Sequence, residues 1–234
     1  MIFRQNDLNR PARTGFTVVE LIIVVGIIAV LLGLAFPAIK TFRMEAKNVG
    51  CLSNLRQIGT ILQSYMNQNR DIPPMTDFIP TATDNGPQGG LPWALRGYLP
   101  TDNKCWCCPA DNDETGSLST GTSYYYVPGL LHYSPSVQIQ VQQALIPYYL
   151  NPNLDEDAVE RRRTEMESRL VTAFYRQDGR RMAFLMDSVD RHMGTRVPRN
   201  ALFFDGSVGV STDMAQILEN ADDQEAEPPD FGDQ

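Results

Sequence analysis

Apolar positions form one unbroken run near the N-terminus and thin into periodic stripes after it. From Leu21 to Ile39 there are 19 consecutive uncharged, mostly aliphatic residues. As a helix rising about 1.5 Å per residue, that run spans about 28 Å, close to the thickness of one hydrocarbon core. A single carboxylate, Glu20, stands at its head. An acid inside hydrocarbon costs about 2.5–3.5 kcal/mol on insertion scales, so its presence calls for a partner. Pro37, near the far end, removes a backbone hydrogen bond and is expected to bend the rod.

Beyond the run the period becomes helical. Phe42, Ala46, Val49, Leu52, Leu55, Leu62 and Tyr65 or Met66 recur mostly every three or four residues, which predicts an amphipathic helix packing one stripe on the chain's own head. Gly26, Gly33, Gly50 and Gly59 lower helix propensity but admit close approach. Pro73 and Pro74 stop the helix. From Asp71 the signals turn to strand and loop. "TATDNGPQGGLP" is turn-rich, and "TSYYYVPGLLHYS" and "VQIQVQ" read as short strands, the second alternating apolar and polar from Val137 to Gln142. "LDEDAVERRRTEMESRLVTAFYRQDG" reads as a helix, with acids in its first turn, Gly179 after its end, and pairs Arg161/Glu165, Arg163/Glu167 and Glu165/Arg169 on a solvated face. "RMAFLMDSVD" and "ALFFDGSVGVS" read as strands, the latter folded at a two-residue Asp205-Gly206 turn.

Charge sharpens the domain picture. The net charge is −8, and the tail 219–234 holds seven acids and no base, leaving the remainder near neutral. The tail is expected to stay solvated, and no basic surface suggests nucleic acid as the primary ligand. The first 15 residues carry Arg4, Arg10 and Arg13 against Asp7. The apolar run is too long for a cleavable secretory signal, and Ala35-Phe36-Pro37-Ala38 is a poor cleavage site for one. Lys40, Arg43 and Lys47 against Glu45 match the leader's positive charge, so charge does not set the orientation; the short N-terminal arm is the expected cytoplasmic side because the bulk of the polar chain lies after the run.

A basic leader ending in Gly15, then Phe16-Thr17-Val18-Val19-Glu20-Leu21 and a long aliphatic run, resembles the start of type IV prepilins and type II secretion pseudopilins. The resemblance implies cleavage by a prepilin peptidase between Gly15 and Phe16 and N-methylation of Phe16. It places Glu20 where that family keeps its acid and Pro37 where many members carry a kinking proline. The liberated amine of one subunit would then meet Glu20 of its neighbour, so the acid would set register: a paired buried charge roughly breaks even, and an unpaired one is strongly destabilising. Gly15 is small enough for a peptidase cleft. A weaker resemblance covers the head. "CLSNLRQIGTILQSYMNQNRDIPP", "PWALRGYLP", "CCPAD", "SYYY" and "NALFFDGSV" run in the order seen in a pseudopilin-like group of planctomycete-type bacteria. That group carries a His followed by nine residues and Asp-Gly. Here twelve residues separate His192 from Asp205, so no role passes to His192.

The cysteines are Cys51, Cys105, Cys107 and Cys108. Past a membrane, in an oxidising space, a disulfide from Cys51 to one of the other three is expected; it would contribute about 3–4 kcal/mol in the chain-entropy picture. The spacing is poor for a four-cysteine zinc site. Asp111, Asp113 and Gly116 form a fragment of a calcium loop without the downstream glutamate, so a polar turn is expected. His132 and His192 read as isolated surface or turn residues, and a His192–Asp205–Ser207 triad would need an accident of folding. Trp93, Trp106 and Tyr124–Tyr126 read as core aromatics ahead of a sugar-stacking surface.

These readings converge on an α+β protein: a long N-terminal helix packed on a globular head with an antiparallel sheet, as in pilins. The expected division is a leader (1–15), a transmembrane assembly helix (16–39), a stalk helix (40–70), a periplasmic head (71–218) and an acidic tail (219–234). The expected function is a filament subunit of the inner membrane, without catalytic residues, metal or cofactor. Its expected partners are prepilin peptidase, other pilin subunits, an inner-membrane assembly platform and membrane lipid. The alternatives are a single-span anchored periplasmic ligand-binding module that does not polymerise and, with less support, a calcium- or zinc-dependent hydrolase, against which the lack of a ligand cluster in the sequence counts.

Overall fold

The computed structural model describes residues 15–78, 89–112, 121–151, 155–178, 182–189, 192 and 199–211. The leader up to residue 14, the segment Asp113–Gly116, Gly179 and the acidic tail lie outside the described residues. The chain divides into two compact units, Met1–Phe42 and Arg43–Gln234.

The first unit is the apolar part of helix α1 (Val18–Gln68). The helix is continuous through Pro37. Its aliphatic side chains are exposed all round: Leu21 is 58 % and Leu34 72 % accessible. A helix apolar on every face is built for an apolar surrounding, and this one is long and apolar enough to cross a membrane once. A Cβ at Gly26 or Gly33 would meet nothing within 4 Å.

In the second unit the remainder of α1 buries Cys51, Leu55, Ile58, Leu62 and Met66 in the main core. The expected stripe holds at Leu55, Leu62 and Met66, omits Ile58, and is out of phase before Leu55. Phe42 and Val49 are exposed, whereas Asn48, Cys51 and Ile58 face inward. Gly59 is buried because α1 crosses a strand there: a Cβ would lie 2.8 Å from Leu202 Cδ1. The helix ends at Gln68, before the prolines. Arg70 and Asp71 take left-handed conformations (φ 58° and 61°), and the Asp71 N–H donates back to the Met66 carbonyl at 2.8 Å.

Short helix α2 (Leu91–Ala94) and a 3₁₀ turn (Lys104–Trp106) precede strand β1 (Tyr124–Tyr126). Helices α3 (Val127–Leu131), α4 (Pro135–Tyr149) and α5 (Glu156–Asp178) follow. Strands β2 (Ala183–Asp187), β3 (Asn200–Phe203) and β4 (Val208–Val210) complete the sheet. It is antiparallel throughout, in the order β1-β2-β3-β4, with Tyr124 opposite Asp187 and Ala201 opposite Met186. All five β2 residues are buried, as befits a strand covered on both faces. The fold is α+β, as expected.

Three expectations are corrected. "VQIQVQ" lies in α4, because Val137, Val141 and Leu145 pack on Met166, Leu170 and Phe174 of α5 in a second core. Ile139, which the alternating pattern would have buried, is 57 % exposed. "TSYYYVPGLLHYS" stays extended only to Tyr126; Pro128, at the first turn of α3, suits a helix start. In the β3–β4 hairpin, Gly206 donates to the Phe203 carbonyl and Phe203 donates to Ser207. The loop is therefore Phe204-Asp205-Gly206, with Gly206 at φ 81°: a three-residue turn with glycine in the left-handed position. On α5, Glu165 pairs with Arg162 (2.9 Å) and Arg169 (2.7 Å), and Arg163 approaches Glu160, so of the expected pairs the 165/169 one forms. Glu167 is buried.

Candidate functional site

Among the described residues, two groups carry chemistry. The first is the head of α1. Thr17 is its N-cap: the Glu20 backbone N–H donates to Thr17 Oγ1 at 3.2 Å. In return Glu20 Oε2 accepts from the Thr17 N–H and from its hydroxyl, both at 2.8 Å. This is a capping box, which satisfies two donors that an open helix end leaves bare. Its signal, Thr-x-x-Glu immediately before an apolar run, is present in the sequence and escaped the sequence reading. Phe16 is 80 % exposed, and a Cβ at Gly15 would meet nothing.

Residues 10–36 match the prokaryotic N-terminal methylation motif. That motif is the hallmark of type IV prepilin and pseudopilin-like proteins, which undergo prepilin-peptidase processing and associate with other pilin subunits. No curated protein and no solved structure is detectably similar to the chain.

The second group lies in the core of the second unit. Cys51 from α1, Cys108 from the loop after the 3₁₀ turn, Asp187 at the end of β2 and His192 beyond it bring one donor atom each to within 4.8 Å of one another. All four residues are at most 3 % exposed. Cys51 Sγ lies 3.3 Å from Asp187 Oδ1. His192 Nε2 lies 3.4 Å from Cys108 Sγ and 3.4 Å from Asp187 Oδ2. Around these atoms, Asp187 Oδ2 accepts from the Asn200 N–H (2.9 Å), Cys108 Sγ accepts from the Ala110 N–H (3.4 Å), and the Tyr124 hydroxyl is 3.5 Å from Cys51 Sγ. A hydrogen bond from Cys51, helped by one from His192, pulls the Cys108 thiol down to about 6 against the cost of burial. Its coupling to Cys108, burial and the nearby Asp187 carboxylate push Cys51 up. Burial alone would lower His192; Asp187 and Cys108 reverse that and raise it to about 9.

The surface reading of His192 is thus corrected: its ring is in the core, where neighbouring anions repay its desolvation. Cys51 meets Cys108. Cys105 and Cys107 stay outside the group, and no disulfide links any of the four cysteines in this structure. The His192–Asp205–Ser207 triad, not expected from the sequence, does not form: Asp205 accepts from the Ser207 N–H and hydroxyl within the β3–β4 turn. His132 sits elsewhere, in a cleft of about 260 Å³, with Nδ1 3.1 Å from Glu167 Oε2. Trp106, Tyr124 and Tyr126 are core residues. Trp93 is half-buried, with the Arg96 guanidinium 4.1 Å over its ring.

Proposed function

We propose that the chain is a structural subunit of a type II secretion pseudopilus or type IV pilus-like filament, and the substrate of a processing enzyme without being one itself. The methylation motif over residues 10–36 carries this reading. Prepilin peptidase cuts between Gly15 and Phe16 and methylates the Phe16 amine. The apolar half of α1 holds the subunit in the inner membrane with the head in the periplasm, and it later packs against the same helix of other subunits.

The exposed all-apolar surface of that helix supports assembly, and the open notches at Gly26 and Gly33 suit close helix approach. Glu20 has a place in both states. In the separate subunit its carboxylate is occupied by Thr17. In the filament the cationic amine of a neighbour gives it an ionic partner. Only one stagger of the two helices brings these charges together, so the pair contributes register more than stability.

The test compares two variants in cells that carry the assembly machinery. Gly15→Leu leaves full-length, unmethylated chain, read by mass spectrometry. Glu20→Ala is cleaved and retained in the membrane but is lost from filaments. Native protein that still begins at Met1, or filaments that form normally with Glu20→Ala, would overturn the proposal.

A further inference from the structure

The geometry points to a buried structural zinc site formed by Cys51, Cys108, Asp187 and His192. This assignment is independent of how the N-terminus is processed. A zinc ion held by four protein ligands is tetrahedral, with thiolates at about 2.3 Å and nitrogen or oxygen at about 2.0–2.2 Å. The edge of a tetrahedron is about 1.6 times its centre-to-vertex distance, so those bonds require donor atoms about 3.3–3.8 Å apart. His192 Nε2 lies 3.4 Å from both Cys108 Sγ and Asp187 Oδ2, Cys51 Sγ lies 3.3 Å from the other carboxylate oxygen, Oδ1, and with one donor atom per residue no pair exceeds 4.8 Å. Asp187 and His192 lie five residues apart, but Cys51 and Cys108 come from two other, distant stretches of chain, so no single short motif carries all four.

The arrangement fits a metal better than the two other uses of such residues. A Cys–His–Asp nucleophilic triad needs the acid on the imidazole nitrogen opposite the thiol. Here Asp187 and Cys108 both face Nε2, so three donors converge on one point instead of forming a relay. A Cys51–Cys108 disulfide would use two of the four groups and leave a buried carboxylate and imidazole to each other.

The donor set, two thiolates, an imidazole and a carboxylate, suits zinc, which is borderline-soft and without redox chemistry. Coordination releases two protons, one from the Cys51 thiol and one held between Cys108 and His192, so the cluster's charge does not change. Two supports are already in place: the Asn200 N–H on Asp187 and the Ala110 N–H on Cys108 hold the ligands in orientation. Cys108 also borders an open groove lined by Asn54, Gln57, Lys104 and Asp111, which gives the ion a route in. Because every position is filled by protein and the residues are at most 3 % exposed, the ion would be a staple tying α1 to β2 and the Cys108 loop, with no position open for catalysis.

The experiment uses the full chain, purified in detergent without chelator. Metal analysis is expected to give about one zinc per chain. Cys51→Ser, Cys108→Ser and His192→Gln should fall close to zero, while Cys107→Ser, outside the cluster, keeps its zinc. Should the ligand variants fail to fold, the unaltered chain decides alone: stripped and reloaded with cobalt, it should show thiolate charge-transfer absorption and the intense visible bands of tetrahedral cobalt. Purified protein without zinc and two hydrogen masses light, with Cys51 and Cys108 in one disulfide-linked peptide, overturns the assignment. So does zinc-free protein with reactive thiols that gives no tetrahedral cobalt spectrum.

Discussion

At His132 an imidazole borders the buried carboxylate of Glu167, 3.1 Å away but poorly aligned for a directed hydrogen bond. Glu167 raises the His132 pKa above 6.5 against the lowering effect of burial; Arg163 adds a smaller opposing push and Asp77 a smaller supporting one. A histidine whose folded pKa is raised stabilises the fold fully below its unfolded pKa and loses that contribution as pH rises through the folded value. His132→Gln should therefore lower the melting temperature more near about pH 6 than near about pH 9. Equal losses at both ends would show that the charge plays no part. Gly129 is a second residue whose identity follows from a neighbour: a Cβ there would collide with the backbone of Thr76 and Phe78. Neither feature is visible in the sequence, because Glu167 and Thr76 are far along the chain from the residues they constrain.

Among elements, α4 and α5 give the sharpest contrast between pattern and fold. Val137, Ile139 and Val141 alternate like a strand, yet Pro135 starts a helix and the stripe Val137–Val141–Leu145 meets Met166, Leu170 and Phe174. A six-residue window satisfies both periods at Val137 and Val141; only Ile139 separates them. Leu145→Ala should cost about 2–5 kcal/mol. Ile139→Ala, at an exposed site, should stay within about 0.5 kcal/mol. Chemical denaturation of the two variants reads both values, and an Ile139→Ala cost matching that of Leu145→Ala would contradict the helical packing. Elements whose period was unambiguous were legible: α5 and the strands β2, β3 and β4 lie where the sequence placed them. The phase of α1 before Leu55 was not, because Phe42 and Val49 are apolar without being part of the core.

For the whole molecule, the second unit has its own core, drawn from α1, the sheet and α3. Residues 43–234 made without the apolar helix should be soluble and fold cooperatively, seen as a single sharp thermal transition with near-ultraviolet dichroism. A gradual transition without fixed aromatic signals would show that the first unit is needed for folding. The exposed aliphatic surface of α1 would then account for the difference in solubility between this fragment and the full chain, since large contiguous apolar surface is seldom left to water.

The sequence by itself determined what is local. The apolar run, the leader-like Gly15-Phe16 junction and the acid at Glu20 lie within a few residues of one another, so their meaning could be read without a fold. The α+β class followed from periodicity in the same way. Only the tertiary structure decided that Cys51 joins Cys108, that His192 is a core residue, and that Asp187 completes their group. Asp187 and His192 are near in sequence, but Cys51 and Cys108 are far from them and from each other, and the four meet because α1, the Cys108 loop and the end of β2 pack around one point.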